Sequence, residues 1–373
     1  MSKKTLKDIK LSYNDVSIVP EVVTYINSRK ECNINDERGY LPIFAAPMGS
    51  VINENNIKYF IKEGINVVIP RTITFDKRVE LGIQYNSFIA VSLTEAVEKF
   101  VDTNFIELNQ IEEQFRICID IANGHMDKEL KIIRKIKDKY GDVILVMAGN
   151  VANPKTYKEY EKVGCDYVRT GIGGGSACLT ASNTGIYYPY FSLIEEMYRI
   201  KKEINGKCKI IADGNIKGYR DIQKALVFAD YVMIGGVFNK ALESAGKTTY
   251  GKCYWNIRGY KLFRPLKTLF YYGKEVNPFD GVIRNKWKNG EIVLWKQYYG
   301  MSTKLAQKLI NPNAKLKTAE GIIKYQKVEY TLDGWTENER DYLASTMSYT
   351  NSKTLEEYKD SEYVISMTVA HNN

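Results

Sequence analysis

The residues best suited to chemistry in this chain stand in one glycine-rich stretch, GIGGGSACLTASNTG, at 171–185. Three consecutive glycines begin at Gly173, and the side chains of Ser176, Cys178 and Thr180 follow them. Glycine adopts positive φ without steric cost, so such a loop turns sharply and brings backbone N–H groups close to a phosphate. A thiol in this loop becomes a nucleophile once a base or a lowered pKa supplies the thiolate. The stretch therefore predicts either a nucleophilic nucleotide site or an ordinary loop with an inert cysteine, and a motif this short favours the second alternative by itself.

The rest of the composition limits the other kinds of site. The six cysteines show no C-x-x-C spacing, and His125 and His371 are the two histidines, so neither a zinc site nor a disulfide framework is expected. Apolar runs stay shorter than the ~20 residues of a membrane span. No apolar stretch follows the basic residues of the first segment, MSKKTLKDIKLSYND, so it does not resemble a signal peptide. We expect a cytoplasmic protein with reduced, mostly buried thiols.

Eight short apolar runs have the composition of buried strands. They are LPIFAAPMG (41–49), INVVIP (65–70), FIAVSL (88–93), RICIDIA (116–122), VILVMAG (143–149), YVRTGI (167–172), KIIADG (209–214) and YVMIGG (231–236). Polar stretches with helical periodicity lie between them, such as MDKELKIIRKIKDKYG (126–141). This alternation predicts an α/β fold, a parallel (β/α)8 TIM barrel. Such a barrel uses about 250 residues and tolerates insertions, so we expect residues 1–373 to form one barrel domain.

Polar and glycine residues concentrate where these runs end. They are Met48, Arg71, Ser92, Asp120, Asn123, Gly124, Asn150, Asp213, Gly214, Gly235, Gly236 and the Cys178 loop. Active sites of TIM barrels lie at the carboxyl ends of the strands. Turns also favour Gly, Asn and Asp for purely structural reasons, so the joint pattern, rather than any single residue, predicts a site there.

Several ordered motifs resemble those of the IMP dehydrogenase/GMP reductase family. The Cys178 loop is similar to the family's G-I-G-P-G-S-x-C-x-T, although Gly174 stands where that motif has proline. DIANG (120–124), MAGNV (147–151), ADG (212–214), VMIGG (232–236) and YGMS (299–302) match in the same order, and YNDVSIVP (13–20) resembles the opening segment. The resemblance covers most of residues 8–350 and implies a homotetramer of barrels.

Two features of the chain resemble GMP reductase more than IMP dehydrogenase. The connection at 95–115 is too short for the regulatory CBS domain of IMP dehydrogenases, and the segment from Gly300 to Glu320 has no arginine for their Arg-Tyr base. KTAEG (317–321) is similar to the stretch that carries the catalytic glutamate of GMP reductases, which implies that role for Glu320. An IMP dehydrogenase, or a relative acting on another purine nucleotide, stays open as the alternative.

The resemblance implies NADPH-dependent reductive deamination of GMP to IMP and ammonia. Cys178 would add to carbon 2 of the purine to form a thioimidate, and Thr180 with Glu320 would protonate the departing amine. GMP or IMP would contact Met48, Ser176, Asp213, Gly214, Gly235, Gly236, Tyr299, Gly300, Met301, Ser302 and Gly321, with the Tyr299 hydroxyl on the phosphate. NADPH would contact Ser28, Arg29, Arg71, Asp120, Asn123, Gly124, Lys317, Ser345 and Thr346. The carbonyls of Gly173, Gly175 and Cys178 resemble the ligands of a monovalent cation such as K+.

One segment departs from the family as a whole. Residues 247–298 contain an insertion in which aromatic and basic residues alternate, with eleven Lys or Arg against three Asp or Glu. That segment supplies +8 of the net charge of +9. We predict a β-rich flap near the mouth of the barrel, with KNGE (288–291) as a hairpin turn. A lid or an oligomer contact is the favoured interpretation, its charge attracting the phosphates of the ligands, and binding of single-stranded nucleic acid is the less favoured one.

Overall fold

The computed structural model describes residues 9–108, 111, 114–175, 179–252, 275–312 and 321–366. The strands are β1 Val16–Ile18, β2 Leu41–Ala45, β3 Ile65–Ile69, β4 Phe88–Val91, β5 Phe115–Asp120, β6 Ile144–Val151, β7 Tyr167–Thr170, β8 Lys209–Asp213, β9 Tyr231–Ile234, β10 Thr248–Lys252, β11 Ile292–Tyr299, β12 Ile323–Lys327 and β13 Tyr363–Ile365. The helices are α1 Ile57–Lys62, α2 Phe75–Gln84, α3 Leu93–Ala96, α4 Phe105–Leu108, α5 Asp127–Tyr140, α6 Thr156–Lys162, α7 Thr180–Thr184, α8 Tyr190–Glu203, α9 Tyr219–Leu226, α10 Gly236–Asn239, α11 Gly281–Lys288, α12 Lys304–Ile310, α13 Leu332–Tyr349 and α14 Leu355–Tyr358.

Strands β2 to β9 form a closed parallel barrel in chain order, and β9 returns to pair with β2. Each of the eight predicted apolar runs supplies one barrel strand, so the (β/α)8 prediction is confirmed. Strands such as β2 and β3 are buried along their whole length. Strands in this position face the barrel interior on one side and the helices on the other, which is why their sequences are continuously apolar rather than alternating.

Aromatic rings fill the amino end of the barrel interior. Phe88, Tyr167 and Tyr231 are each the first residue of a strand, and all three rings contact Phe44 of β2. Ring centroids lie 5.2 Å apart between Phe88 and Tyr167, in an edge-to-face arrangement that aromatic pairs favour. The core therefore closes the barrel from below, and polar side chains occupy the carboxyl ends of the strands.

The helix predicted within 126–141 is present as α5. Ile132, Ile133 and Ile136 are buried on its inner face. Gly141 ends it with φ of +52°, a conformation that glycine adopts more easily than other residues. Among the described residues, no helix is both long and apolar enough to cross a membrane.

The inserted segment contributes to a second, antiparallel sheet in the order β10, β11, β12. Leu242, Ile292, Leu294 and Val328 form a small separate core against this sheet. The hairpin prediction for KNGE is wrong: the Asp280 carboxylate caps the start of α11, this helix runs to Lys288, and the turn at 289–290 joins it to β11. Residues 253–274, with most of the aromatic residues of the insertion, lie outside the described part of the chain.

Candidate active site

Two adjoining cavities open at the carboxyl end of the barrel. The first, about 300 Å³, is the arginine chamber, named after Arg71 and Arg169 in its wall. The second, about 330 Å³, is the lysine chamber, named after Lys217, Lys240 and Lys324. The two chambers share wall residues, namely Ala46, Met48, Gly174, Gly175, Asp213, Gly214 and Tyr298. A ligand placed across this shared wall would occupy both.

Charged side chains from four strand ends interlock in the arginine chamber. The guanidinium of Arg169, on β7, donates to Asp213 Oδ2 from Nη2 at 2.8 Å and from Nε at 3.2 Å. Its Nη1 donates to Asp120 Oδ1, at the end of β5, at 2.8 Å. Arg71, after β3, places Nε 3.5 Å from Asp120 Oδ2. Two cations and two anions thus alternate around the mouth, and the network is electrically neutral.

This network determines the charge state of its buried members. Burial acts to raise the pKa of Asp120, but the positive charges of Arg169 and Arg71 outweigh it and hold that pKa below its usual value. Burial acts to lower the pKa of Arg169, and the charges of Asp213, Cys118 and Asp120 more than compensate, leaving it above its ordinary value. Asp120 and Arg169 are therefore both charged at neutral pH.

Asn150 connects this network to the glycine-rich loop. Its Nδ2 donates to Asp213 Oδ2 at 2.8 Å and to the Gly171 carbonyl at 3.0 Å. Among the described residues, the printed donors to the Asp213 carboxylate all reach Oδ2, which leaves Oδ1 as an acceptor for a ligand. A carboxylate oriented in this way suits the adjacent hydroxyl groups of a ribose.

Tyr190, the first residue of α8, packs beneath the loop. A Cβ atom added to Gly174 would lie 2.1 Å from the Tyr190 hydroxyl, and one added to Gly171 would lie 2.2 Å from Tyr190 Cε1. Gly171 and Gly173 also have positive φ, of +116° and +79°. The space that a larger residue would need at 174 is filled by this ring, which explains why glycine stands there in place of the proline of the family motif.

Glu129 supports the same region from behind. Its Oε1 accepts from the Gly149 N–H at 3.2 Å, and its Oε2 lies 2.8 Å from the Tyr160 hydroxyl, which also lies 2.8 Å from the Gly124 carbonyl. Burial raises the pKa of Glu129 to about 7, against the opposing effect of these hydrogen bonds. The single hydroxyl proton of Tyr160 reaches one acceptor at a time, so a protonated Glu129 donating to Tyr160 satisfies all of these groups.

Most of the predicted site residues lie in the walls of the two chambers. They are Met48, Arg71, Asp120, Gly173, Gly175, Thr180, Asp213, Gly214, Gly235, Gly236, Gly300, Met301 and Ser302. Four others, Ser176, Cys178, Lys317 and Glu320, lie outside the described residues. Their roles stay predictions, as does the cation site that includes Cys178. Among the described residues, no three or more His, Cys, Asp or Glu side chains group as a metal site.

Tyr299 is not brought to either chamber. A Cβ atom added to Gly49 would lie 2.9 Å from its hydroxyl, so the ring points toward that loop. Tyr298 lies in the wall of both chambers, and its hydroxyl is 3.8 Å from Met48 Sδ. Successive side chains of a strand point to opposite faces, and two adjacent tyrosines in a sequence do not show which one faces the site.

The remaining predicted cofactor residues lie elsewhere. Ser345 and Thr346 line a groove along α13, and Arg29 is close to that helix through its 3.3 Å ion pair with Asp341. Ser28 accepts a hydrogen bond from the Lys30 N–H. The other outlying residues are Asn123, Gly124 and Gly321, which line neither chamber.

Sequence reasoning missed the residue at the centre of the network. Arg169 is buried between Val168 and Thr170 in a strand that otherwise reads as apolar. A charged residue inside such a strand is the signal that could have identified it, because buried charges in proteins are almost always paired. Asn150 was noted as a strand-end residue, while Tyr190, Lys240 and Lys324 gave no comparable signal.

Known proteins match this chain along nearly its whole length. Residues 96–268 match the domain described as "IMP dehydrogenase / GMP reductase domain". A protein named GMP reductase from Mesoplasma florum is 30% identical over 366 residues, which cover 95% of this chain and 98% of that protein. The chain belongs to the IMP dehydrogenase/GMP reductase family. Two further relatives with the same name are 28% identical over 362 residues, from Oceanobacillus iheyensis, and 34% identical over 254 residues, from Staphylococcus saprophyticus. These two alignments cover 95% and 65% of this chain, and 94% and 75% of the respective relatives.

Proposed function

We propose that this family member is an NADPH-dependent GMP reductase, which converts GMP to IMP and ammonia. The observation that carries the proposal is the Asp213 carboxylate, held by Arg169 and Asn150 directly beside the Gly173–Gly175 loop. Relatives named GMP reductase align from end to end with the chain, which supports the same reaction here. The chain is short of a regulatory domain at 95–115, where α3 and α4 form the connection to β5.

The nucleotide would lie across the shared wall of the two chambers. Asp213 Oδ1 would accept from the ribose hydroxyls, and Met301 and Ser302 would contact the purine edge in the arginine chamber. The phosphate would lie against Gly214, Gly235 and Gly236, where backbone N–H groups at the ends of β8 and β9 are close together. Tyr298 replaces Tyr299 in this proposal as the tyrosine beside the phosphate.

The chemistry would be carried by the loop that begins at Gly173. The Cys178 thiolate would form a bond to carbon 2 of the purine, and the amine would depart as ammonia after Thr180 and Glu320 have supplied its proton. Covalent attachment divides one difficult substitution into two easier steps. NADPH would supply the hydride that replaces the sulfur at carbon 2.

The structure contains groups that fit a nicotinamide cofactor. Arg71 and Asp120 face the arginine chamber, and Arg71 Nε is buried with no hydrogen-bond partner closer than the 3.5 Å contact to Asp120 among the described residues. Ser345 and Thr346 lie in a separate groove on α13. Holding one cofactor with both sets fits a homotetramer in which neighbouring subunits share each site.

The test measures NADPH absorbance and ammonia release with purified protein and GMP, in the wild type and in Cys178→Ala. We expect equal amounts of NADPH oxidised and ammonia released, and loss of both in the variant. Cys208→Ala is the matched control, because Cys208 is buried beneath β8 and lines neither chamber. Reduction of NAD with IMP, without turnover of GMP, would instead assign the IMP dehydrogenase reaction.

A further inference from the structure

The lysine chamber is larger than a nucleoside monophosphate needs. The base and ribose of the proposed substrate lie in the arginine chamber, so only the 5′-phosphate enters the lysine chamber, at its wall of Gly214, Gly235 and Gly236. The volume of about 330 Å³ equals that of roughly eleven water molecules at about 30 Å³ each. A single phosphoryl group fills a small part of it.

The wall opposite those glycines is positively charged. Three lysines line the chamber, and the one carboxylate in its wall is Asp213, which already bonds to Arg169. Lys240 follows α10, and Lys324 lies on β12. The two lysines reach the chamber from the barrel and from the second sheet, so this concentration of charge exists only because the sheet packs over the barrel mouth.

The two ammonium groups are held close enough to repel each other. Lys324 is half-buried, its Nζ lies 5.5 Å from the centre of the Tyr298 ring, and burial together with the charge of Lys240 lowers its pKa. Lys240 is paired with Glu329 at 3.1 Å, and both of these side chains are about one-third exposed or more. Exposed pairs of this kind contribute little to stability, so an anion of higher charge can take Lys240 from Glu329.

We propose that the lysine chamber binds the second phosphate of a purine nucleoside 5′-diphosphate, whose nucleoside occupies the arginine chamber. This inference rests on the proposed function, because it uses the same purine nucleotide site. The first phosphate stays at the glycine wall, and the second lies between Lys240 and Lys324. A diphosphate brings one more phosphoryl group and additional negative charge, which these lysines neutralise at short range.

The experiment titrates GMP and GDP into the full-length protein by calorimetry, without NADPH. We expect GDP to bind at least about tenfold more tightly than GMP, since one charge-assisted contact of this kind corresponds to a factor of ten or more. In Lys240→Gln/Lys324→Gln, GDP should bind no more than about twofold more tightly than GMP, while the affinity for GMP changes less than about twofold. Lys327→Gln is the matched control on the same strand, because Lys327 is exposed and lines neither chamber.

Free phosphate and long-range attraction would give different results. A GMP titration in 10 mM inorganic phosphate distinguishes the first: if free phosphate tightens GMP binding as much as the second phosphate of GDP does, the diphosphate proposal is overturned. It is also overturned if GDP binds no more tightly than GMP, or if the double variant and Lys327→Gln weaken GDP equally. Absence of binding by both nucleotides would overturn the proposed function as well, whereas binding of GMP alone leaves that function in place.

Discussion

The two chambers at the barrel mouth handle charge in opposite ways. In the arginine chamber, two arginines and two aspartates are bonded to one another, and the side chain of Arg169 is 6% exposed. In the lysine chamber, three lysines face a space with one carboxylate, and the side chain of Lys240 is 33% exposed. The first arrangement is complete without a ligand, and the second is completed by an anion. Positioning of the nucleoside is therefore part of the fold, whereas attraction of phosphate depends on charges at the rim.

The largest expected effect comes from removing the central cation of the arginine chamber. Arg169→Met leaves Asp120 and Asp213 buried without their shared partner, which should cost about 3–5 kcal/mol of unfolding free energy. Urea unfolding measures this loss, and the activity with GMP should disappear with it. Arg199→Met is the control, since Arg199 is exposed and paired with Glu195 on α8, where the loss should stay below about 1 kcal/mol. Similar losses in both variants would contradict the comparison.

The second prediction concerns the support behind the arginine chamber. With a pKa of about 7, Glu129 keeps its proton in the folded protein at pH values where it is ionised in the unfolded chain. The wild type should therefore lose stability as pH rises from about 4.5 to about 7, by an amount on the order of 3 kcal/mol. Glu129→Gln keeps the hydrogen bonds without the charge, so its stability relative to the wild type should increase over this interval.

Unfolding free energies of the two proteins at pH 5, 6, 7 and 8 measure that difference. A constant difference at every pH would show that Glu129 does not carry the proton in the folded state. Glu159→Gln on α6 is the control, because Glu159 is exposed and its pair with Lys162 lies on the surface.

The third prediction addresses the wall that the chambers share. Gly174→Ala places a methyl group 2.1 Å from the Tyr190 hydroxyl, which should displace the loop and cost about 1–3 kcal/mol. The catalytic efficiency with GMP should fall as well, because the same loop continues to Cys178. Gly218→Ala is the matched control: no atom lies within 4 Å of its added Cβ, and its φ of 179° suits any residue. Equal behaviour of the two variants in thermal unfolding and turnover would argue against a wedge at Tyr190.

The smallest effect is expected in the lysine chamber. Lys240→Gln breaks the exposed pair with Glu329 and should change the unfolding free energy by less than about 1 kcal/mol. The effect on phosphate attraction should decrease further with added salt, because exposed charges are screened over about 10 Å at 0.1 M salt. Unfolding at low and high salt measures both statements. A loss as large as that of Arg169→Met would remove the distinction between the chambers.

Much of the barrel and part of the site could be predicted from local sequence patterns. Eight apolar runs separated by helical stretches predicted the eight strands, and the ends of those runs included Arg71, Asp120, Asn150 and Asp213. The KNGE turn was misread, because Asn-Gly ends a helix as readily as it joins two strands; here the Asp280 cap starts a helix before it. Tyr298 was missed in favour of Tyr299 because the facing of a strand depends on its partners.

By itself, the sequence determined the barrel, the order of its strands and the edge at which polar residues collect, because these follow from short-range periodicity and from the rule that parallel strands end together. Only the tertiary structure decided which charges meet. Arg169, Asp120 and Asp213 come from three different strands, and Lys240 and Lys324 from two different sheets. Coulomb attraction and steric contact act over a few ångströms in space, a distance that separation along the chain does not reveal.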